Sequence, residues 1–316
     1  MMTENTLTDV AADLLSFNLN ASDGESLVVL TDTETEPIGR ALFEAGTTLG
    51  LEAGLLAITP RERSGQEPPA FATEAMAAAD IVVCPASTSF THTRARERAA
   101  DAGARVATMP GITEGMFREG AVSADYERVE SLTETVAAAI TDAETATIES
   151  GGETFTVSLE GRDGIRSDGL LREPGDWGNL PSGEAYTAPV EGTGQGTLVF
   201  DAGIVGSGDL GEPLYVTIED GTIVETDGAD PPEVFVDGPD CARKTCELGI
   251  GTNPAADIIG TTLEDEKVYG TCHVAFGDNL GFGGTIECDS HVDGIIGEPT
   301  VSFDGDVILE GGEIQI

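Results

Sequence analysis

The feature that most constrains the fold is a regular alternation of short apolar runs with helical segments over the first 145 residues. The apolar runs lie at 26–30, 55–58, 80–84 and 105–109, and helical patterns fill 37–49, 69–79 and 91–102 between them. Apolar strands that alternate with helices form βαβ units, in which helices cover both faces of a parallel sheet. We therefore predict an α/β N-terminal domain with a parallel sheet, and a further helical stretch over 123–146.

The pattern changes near residue 147, where short alternating runs separated by turn signals replace the helices. Asp220-Gly221 and Asp304-Gly305 are dipeptides typical of hairpin turns. The sequence therefore predicts two domains, an α/β domain over 1–147 and a β-rich α+β domain over 148–316.

One glycine-rich segment, Gly206 to Gly211, matches the G-x-G-x-x-G pattern of dinucleotide-binding loops. That pattern needs a strand before it and a helix after it. Here a strand-like run at 214–218 follows instead, so we interpret the match as chance. No G-x-S-x-G motif of a serine hydrolase occurs either.

The net charge of the chain limits which classes of molecule it can bind. Aspartate and glutamate total 58 against 15 lysines and arginines, which gives a formal net charge of −43. Phosphate backbones and anionic membrane surfaces require basic residues, so we expect neither as a partner. With hydrophobic residues at 40%, the chain has enough apolar material for a core and is not disordered. The acid excess and the presence of only Lys244 and Lys267 as lysines resemble the proteins of extreme halophiles, in which concentrated salt screens self-repulsion.

The N-terminal sequence lacks the features of an export signal, because the first basic residue is Arg40 and no apolar run reaches membrane-spanning length. We therefore expect a cytoplasmic protein. Cysteines that lack a compact framework spacing are typically reduced in such a compartment. The five thiols expected to be free are Cys84, Cys241, Cys246, Cys272 and Cys288.

The three histidines suggest a metal site. His291 and Asp293 stand at i and i+2 and would point to the same face of a strand. His273 lies in a second strand-like segment that could pair with theirs. Two imidazoles and a carboxylate suit zinc, manganese, cobalt or ferrous iron. Taken alone, the His-x-Asp pair is more typical of a surface pair or a hydrogen-bonded core histidine.

Two turn-rich segments upstream each present one acid between glycines. Gly178–Pro189 carries Glu184 in GNLPSGEAYTAP, and Cys246–Pro254 carries Glu247 in CELGIGTNP. Together with His273 in H-V-A-F-G and His291 in H-V-D, these segments resemble, in the same order, the motifs of the aminopeptidase T family of metallo-aminopeptidases, which are leucyl aminopeptidase-like hydrolases.

The resemblance implies a site, a cofactor and a reaction. The metal ligands would be Glu184, Glu247, His273, His291 and Asp293, holding one or two zinc, cobalt or manganese ions. Glu247 is the favoured bridging ligand, and either Glu184 or Glu247 would assist catalysis. Metal-activated water would then hydrolyse the N-terminal residue from a small peptide. The same resemblance makes a homodimer plausible.

Two departures from the family pattern support an alternative. The spacing between His273 and His291 is contracted, and the tyrosine that follows the H-x-A-x-G histidine in the family is absent from 277–284. Dihydroxypyridine ring-cleaving dioxygenases are similar in motif and use one non-haem ferrous ion. For a small-molecule substrate of that kind, His273, His291 and Asp293 would form a two-histidine, one-carboxylate triad. A third reading is a metal-binding homologue without catalytic activity. We rank the peptidase first.

Overall fold

A computed structural model describes residues 6–205 and 210–316, and these form two compact units. The first unit contains the chain up to Glu127 together with Gly169–Ser182. The second contains Arg128–Asp168 and Gly183–Ile316.

The secondary structure of the described residues is as follows. The α-helices are α1 (Leu7–Asp13), α2 (Glu36–Thr48), α3 (Ala70–Met76), α4 (Arg94–Asp101), α5 (Glu114–Arg118), α6 (Tyr126–Asp142), α7 (Glu233–Asp237) and α8 (Thr262–Asp265). A π-helical turn at Leu14–Asn18 follows α1, and 3₁₀ turns occupy Ala121–Ser123, Asp240–Arg243 and Leu280–Phe282. The strands are β1 (Ser26–Asp32), β2 (Glu52–Ile58), β3 (Ile81–Ala86), β4 (Arg105–Pro110), β5 (Thr145–Ser150), β6 (Glu153–Ser158), β7 (Ile165–Ser167), β8 (Trp177–Asn179), β9 (Glu184–Thr187), β10 (Gln195–Phe200), β11 (Gly203–Ile204), β12 (Leu214–Glu219), β13 (Thr222–Gly228), β14 (Thr245–Gly251), β15 (Cys272–Gly277), β16 (His291–Ile296), β17 (Thr300–Phe303), β18 (Asp306–Glu310) and β19 (Glu313–Ile314).

The first unit is built on a five-stranded parallel sheet in the order β2-β1-β3-β4-β8. Its central strand, β3, is buried along its whole length, as expected for a parallel sheet. The predicted α/β architecture is confirmed. Strand β8 was not predicted, because a three-residue Trp-Gly-Asn strand is too short to show a periodic pattern.

The second unit contains two antiparallel sheets. One has eight strands in the order β13-β12-β10-β6-β5-β17-β18-β19, and the other has six in the order β11-β16-β15-β14-β9-β7. Residues of both sheets, among them Phe155, Phe200, Leu248 and Val274, form one apolar core. The predicted β-rich character of the C-terminal region is therefore confirmed.

The predicted division at 147/148 falls inside strand β5, which pairs with β6 and β17 of the second unit. The helix expected to reach residue 146 ends at Asp142, and β5 begins at Thr145. The segment Thr145-Ala-Thr-Ile148 is rich in β-branched residues, which favour a strand over a helix.

Two further expectations concern the cysteines and the glycine-rich segment. The prediction of five reduced thiols is wrong for Cys241 and Cys288, which form a disulfide with Cα atoms 5.7 Å apart. The 3₁₀ turn before β14 and the loop before β16 bring these residues together, a proximity that a linear sequence does not reveal. The G-x-G-x-x-G match falls largely outside the described residues, since 206–209 are not among them.

Among the residues that the structure describes, no helix combines the length and the apolar character needed to cross a bilayer.

Candidate metal centre

The candidate site lies on one face of the six-stranded sheet of the second unit. Strand register places Gly249 directly opposite His273, and His273 opposite Ile295. A neighbouring row places Glu247 opposite Ala275, and Ala275 opposite Asp293. Since directly opposed residues share a face, the acids and histidines of three strands converge on one surface. The intervening residues, such as Leu248 and Val274, point into the apolar core.

A bulge in β14 sets this arrangement. The pairing between β14 and β15 shifts between Thr245 and Glu247, so that Cys246 is the extra residue. Bulges of this kind re-aim the side chains that follow them. Here the shift pairs Glu247 with Ala275. As a result, the Glu247 side chain lies on the same face of the sheet as Asp293. Cys246 itself is buried in a small cluster with Ala275 and Ile286.

The five residues predicted as ligands come together. The Nε2 atom of His273 lies 3.3 Å from Glu184 Oε2 and 3.5 Å from Glu247 Oε1. The Nε2 atom of His291 lies 3.2 Å from Glu247 Oε2 and 3.3 Å from Asp293 Oδ1. Two groups of potential metal donors result, Glu184–Glu247–His273 and Glu247–His291–Asp293, and they share Glu247.

Burial differs across the site. His273 is fully buried, and Glu184, Glu247 and Asp293 are nearly so. His291 is the exposed member, with 32% of its side chain accessible. Solvent or a ligand therefore reaches the donors from the side of His291.

The electrostatics favour a cation. Burial alone would lower the pKa of His273, but the carboxylates of Glu247 and Glu184 outweigh it and raise that pKa to about 9. Burial likewise opposes charge on His291, but Asp293 raises its pKa well above the usual value. Burial would raise the pKa of Glu247, and the two imidazoles lower it instead. A cluster that attracts protons to two imidazoles in this way attracts a divalent cation as well.

The histidine nitrogens fit a metal. Among the described residues, neither ring nitrogen of the buried His273 has a hydrogen-bond partner, although its Nε2 faces two carboxylates. A buried imidazole without partners is costly, and coordination to an ion would satisfy its Nε2. His291 donates from Nδ1 to the Asp278 carbonyl at 2.9 Å, which leaves its Nε2 free as a ligand. This second hydrogen bond is typical of metal-binding histidines.

Sequence reasoning missed Lys267. It is fully buried, and its Nζ atom lies 3.0 Å from Glu184 Oε1 and also contacts the Glu266 carboxylate. Burial would lower the pKa of Lys267, but Glu184 and Glu266 raise it, so the side chain is an ammonium. A signal was present, because Lys267 is one of only two lysines in the chain.

Two aromatic residues were also missed. Tyr186 stands two residues after Glu184 on β9 and directly opposite Gly249, which places it on the face of the donors. Burial and the charges of Glu247 and Glu184 raise its pKa, so the phenol stays protonated. Phe282 packs edge-on against both Tyr186 and His291, with ring centroids 5.5 Å and 6.1 Å apart. The segment 277–284 lacks the tyrosine of the aminopeptidase T pattern, and Tyr186 presents a phenol from β9 instead.

The model of the 2,5-dihydroxypyridine 5,6-dioxygenase family matches residues 13–316. A search of curated proteins finds no match.

Among solved structures, the 2,5-dihydroxypyridine dioxygenase from Pseudomonas putida KT2440 is similar, with a TM-score of 0.81 and 20% identity over 100% of this chain and 98% of that one. Wild-type AmpT from Thermus thermophilus has a TM-score of 0.68 and 19% identity over 98% of this chain and 99% of that one. At these identities both likenesses show the fold. The family match covers nearly the whole chain and includes every residue of the site.

Proposed function

The chain belongs to the 2,5-dihydroxypyridine 5,6-dioxygenase family, and on this premise we propose that it is an iron-dependent dioxygenase that opens the ring of a dihydroxypyridine or a close analogue. The observation that carries the proposal is the family match over residues 13–316, which contains the whole cluster of donors. Of the comparisons, AmpT supports the first-ranked aminopeptidase reading, and it does so only at the level of the fold.

The residues that would hold one ferrous ion are His273, His291 and Asp293, the two-histidine, one-carboxylate set that leaves positions open for oxygen and substrate. When bound, ferrous iron would activate dioxygen and mediate the transfer of electrons to it from the hydroxylated ring, which is the group that the reaction oxidises. Asp293 and the Nδ1 hydrogen bond of His291 to Asp278 hold the exposed imidazole in one orientation.

Glu247 is suited to move a proton. Its carboxylate lies between the two imidazoles, at 3.5 Å and 3.2 Å. A hydroxylated ring that enters beside His291 would bring its hydroxyl within reach of this carboxylate, which can accept the proton.

Tyr186 and Phe282 are suited to bind a flat ring. Both are half-buried, they pack edge-to-face with each other, and Phe282 also contacts His291. Aromatic rings offer a planar heteroaromatic substrate favourable stacked or edge-on contacts. We propose that these two residues orient the substrate ring at the accessible side of the site.

Oxygen consumption tests the proposal. The full chain, freed of metal, is loaded with ferrous iron without oxygen in concentrated salt, and 2,5-dihydroxypyridine is then added in air-saturated buffer. We expect one dioxygen consumed for each ring lost, measured with an oxygen electrode and by the ring's ultraviolet absorption. A folded, iron-loaded protein that consumes no oxygen with this compound or its hydroxylated analogues would contradict the proposal.

A metallo-aminopeptidase is the second candidate. The observation in its favour is that the two donor groups share Glu247, which offers places for two ions bridged by one carboxylate. Its test is release of the N-terminal residue from a dipeptide by protein loaded with zinc, cobalt or manganese, at a rate independent of oxygen. A protein that binds metal but shows neither activity would instead support the non-catalytic reading.

A further inference from the structure

The two donor groups differ in their contact with Lys267. The donor geometry by itself allows two ions, one in each of the overlapping groups. The group on the Glu184 side, however, already contacts a positive charge, because the Lys267 ammonium lies 3.0 Å from Glu184 Oε1. The group on the Asp293 side has no lysine or arginine paired with it among the described ion pairs.

The ammonium is held in place by backbone structure. Lys267 follows helix α8, its N–H donates to the Glu264 carbonyl at 2.9 Å, and its carbonyl accepts from the Asn253 N–H at 2.9 Å. With its backbone fixed and its side chain fully buried, Lys267 has little freedom to move its charge away. A buried ammonium is stable only when paired, and here the carboxylates of Glu184 and Glu266 pair with it.

The Glu184 carboxylate is thus divided between two partners. Its Oε1 faces Lys267, and its Oε2 faces His273 at 3.3 Å. A second divalent ion in this group would have to share Glu184 with a fixed ammonium, and like charges at such distances repel strongly in a buried site. Of the three donor carboxylates, Glu184 alone contacts the Lys267 ammonium, which Glu266 contacts as well.

We propose that the Lys267 ammonium takes the place of a second metal ion and limits the site to one. The proposal rests on the proposed function in that a one-ion site is what an iron dioxygenase needs. Lys267 acts in it as a positioning residue through Glu184.

Metal stoichiometry tests this inference. The full chain in concentrated salt is freed of metal and equilibrated with manganese(II), which stays divalent in air. Bound manganese is measured by elemental analysis, and electron paramagnetic resonance distinguishes an isolated ion from a spin-coupled pair. We expect one isolated ion per chain in the wild type and in Lys267→Arg, and two coupled ions per chain in Lys267→Met.

Two double variants and one control variant test whether the second ion depends on Glu184 and on Lys267 specifically. Lys267→Met combined with Glu184→Gln should bind one ion again, because the second site needs the Glu184 carboxylate. Lys267→Met combined with Glu266→Gln removes a buried acid together with the ammonium, and should bind two ions even if the single variant does not fold. Lys244→Met removes the other lysine and should behave as the wild type.

The outcomes separate the two proposals. Two ions in the wild type, or one ion in a folded Lys267→Met chain, would overturn the role of Lys267 whether or not the iron-loaded protein consumes oxygen. One ion in the wild type and two in Lys267→Met would support that role even if dihydroxypyridine were not turned over, in which case the proposed function alone would fall.

Discussion

The imidazole of His273 lies over Gly249, so closely that a Cβ at Gly249 would be 2.2 Å from its Nε2 atom. The two residues are direct cross-strand neighbours. Because Gly249 has no side chain, His273 lies across strand β14 and reaches Glu247 and Glu184. The glycine is therefore part of the site, although it offers no ligand.

Gly249→Ala should displace the His273 ring and weaken metal binding by at least about 10-fold, as loss of ligand orientation does at other sites. Equilibrium dialysis with manganese(II) measures the effect, and circular dichroism checks the fold. Gly297→Ala is the matched control, because a Cβ there meets its neighbours at an ordinary 3.6 Å. Unchanged affinity in Gly249→Ala would show that His273 does not need this space.

His291→Ala should lower metal affinity by at least about 100-fold and abolish turnover, since the variant removes a proposed ligand and the contacts to Glu247 and Asp293. Metal content after dialysis and oxygen uptake are the two measurements. His92→Ala changes the one histidine outside the site and should keep both at wild-type levels. If His291→Ala retained full metal content, His291 would not be a ligand.

Cys288→Ser should lower the free energy of unfolding by about 2–4 kcal/mol, because the disulfide to Cys241 closes a loop of 47 residues. The loss is measured by denaturant titration in concentrated salt. A reductant should destabilise the wild type by a similar amount and leave Cys288→Ser unaffected. If the reductant did not change the wild type, the disulfide would make no contribution to stability.

The remaining thiols should be unreactive in the native protein. Burial raises the pKa of Cys84 and Cys272 to about 12, and that of Cys246 to about 11. At pH 8 these groups are therefore protonated as well as inaccessible, and thiolate is the reactive form. A colorimetric thiol reagent should label none in the folded chain, three after denaturation and five after denaturation with reduction. Labelling of five thiols without reduction would exclude the disulfide.

Stability should depend strongly on salt, because the net charge of −43 repels itself unless it is screened. The screening length falls from about 10 Å at roughly 0.1 M salt to about 3 Å at roughly 1 M. We expect the midpoint of thermal unfolding, followed by circular dichroism, to rise steeply with potassium chloride over this range. Equal midpoints in dilute and concentrated salt would contradict the halophilic interpretation without affecting the metal site.

Local sequence determined the secondary structure well wherever periodic runs were long. The alternation up to residue 110 predicted strands β1 to β4 and the helices between them, because burial on both faces imposes continuous apolar runs. The i, i+2 spacing of His291 and Asp293 placed both on one face, and the structure confirms their approach to 3.3 Å. Short elements such as β8 left no comparable pattern.

The sequence, through its resemblance to the aminopeptidase T family, thus predicted which five residues would lie together, and the structure brings them within reach of one another. Only the tertiary structure decided how those donors combine. The register of β14, β15 and β16 places Glu247 between two histidines, and the segment after α8 brings Lys267 to Glu184. These contacts join residues far apart along the chain, and long-range pairing is set by the packing of whole sheets, which local spacing does not encode.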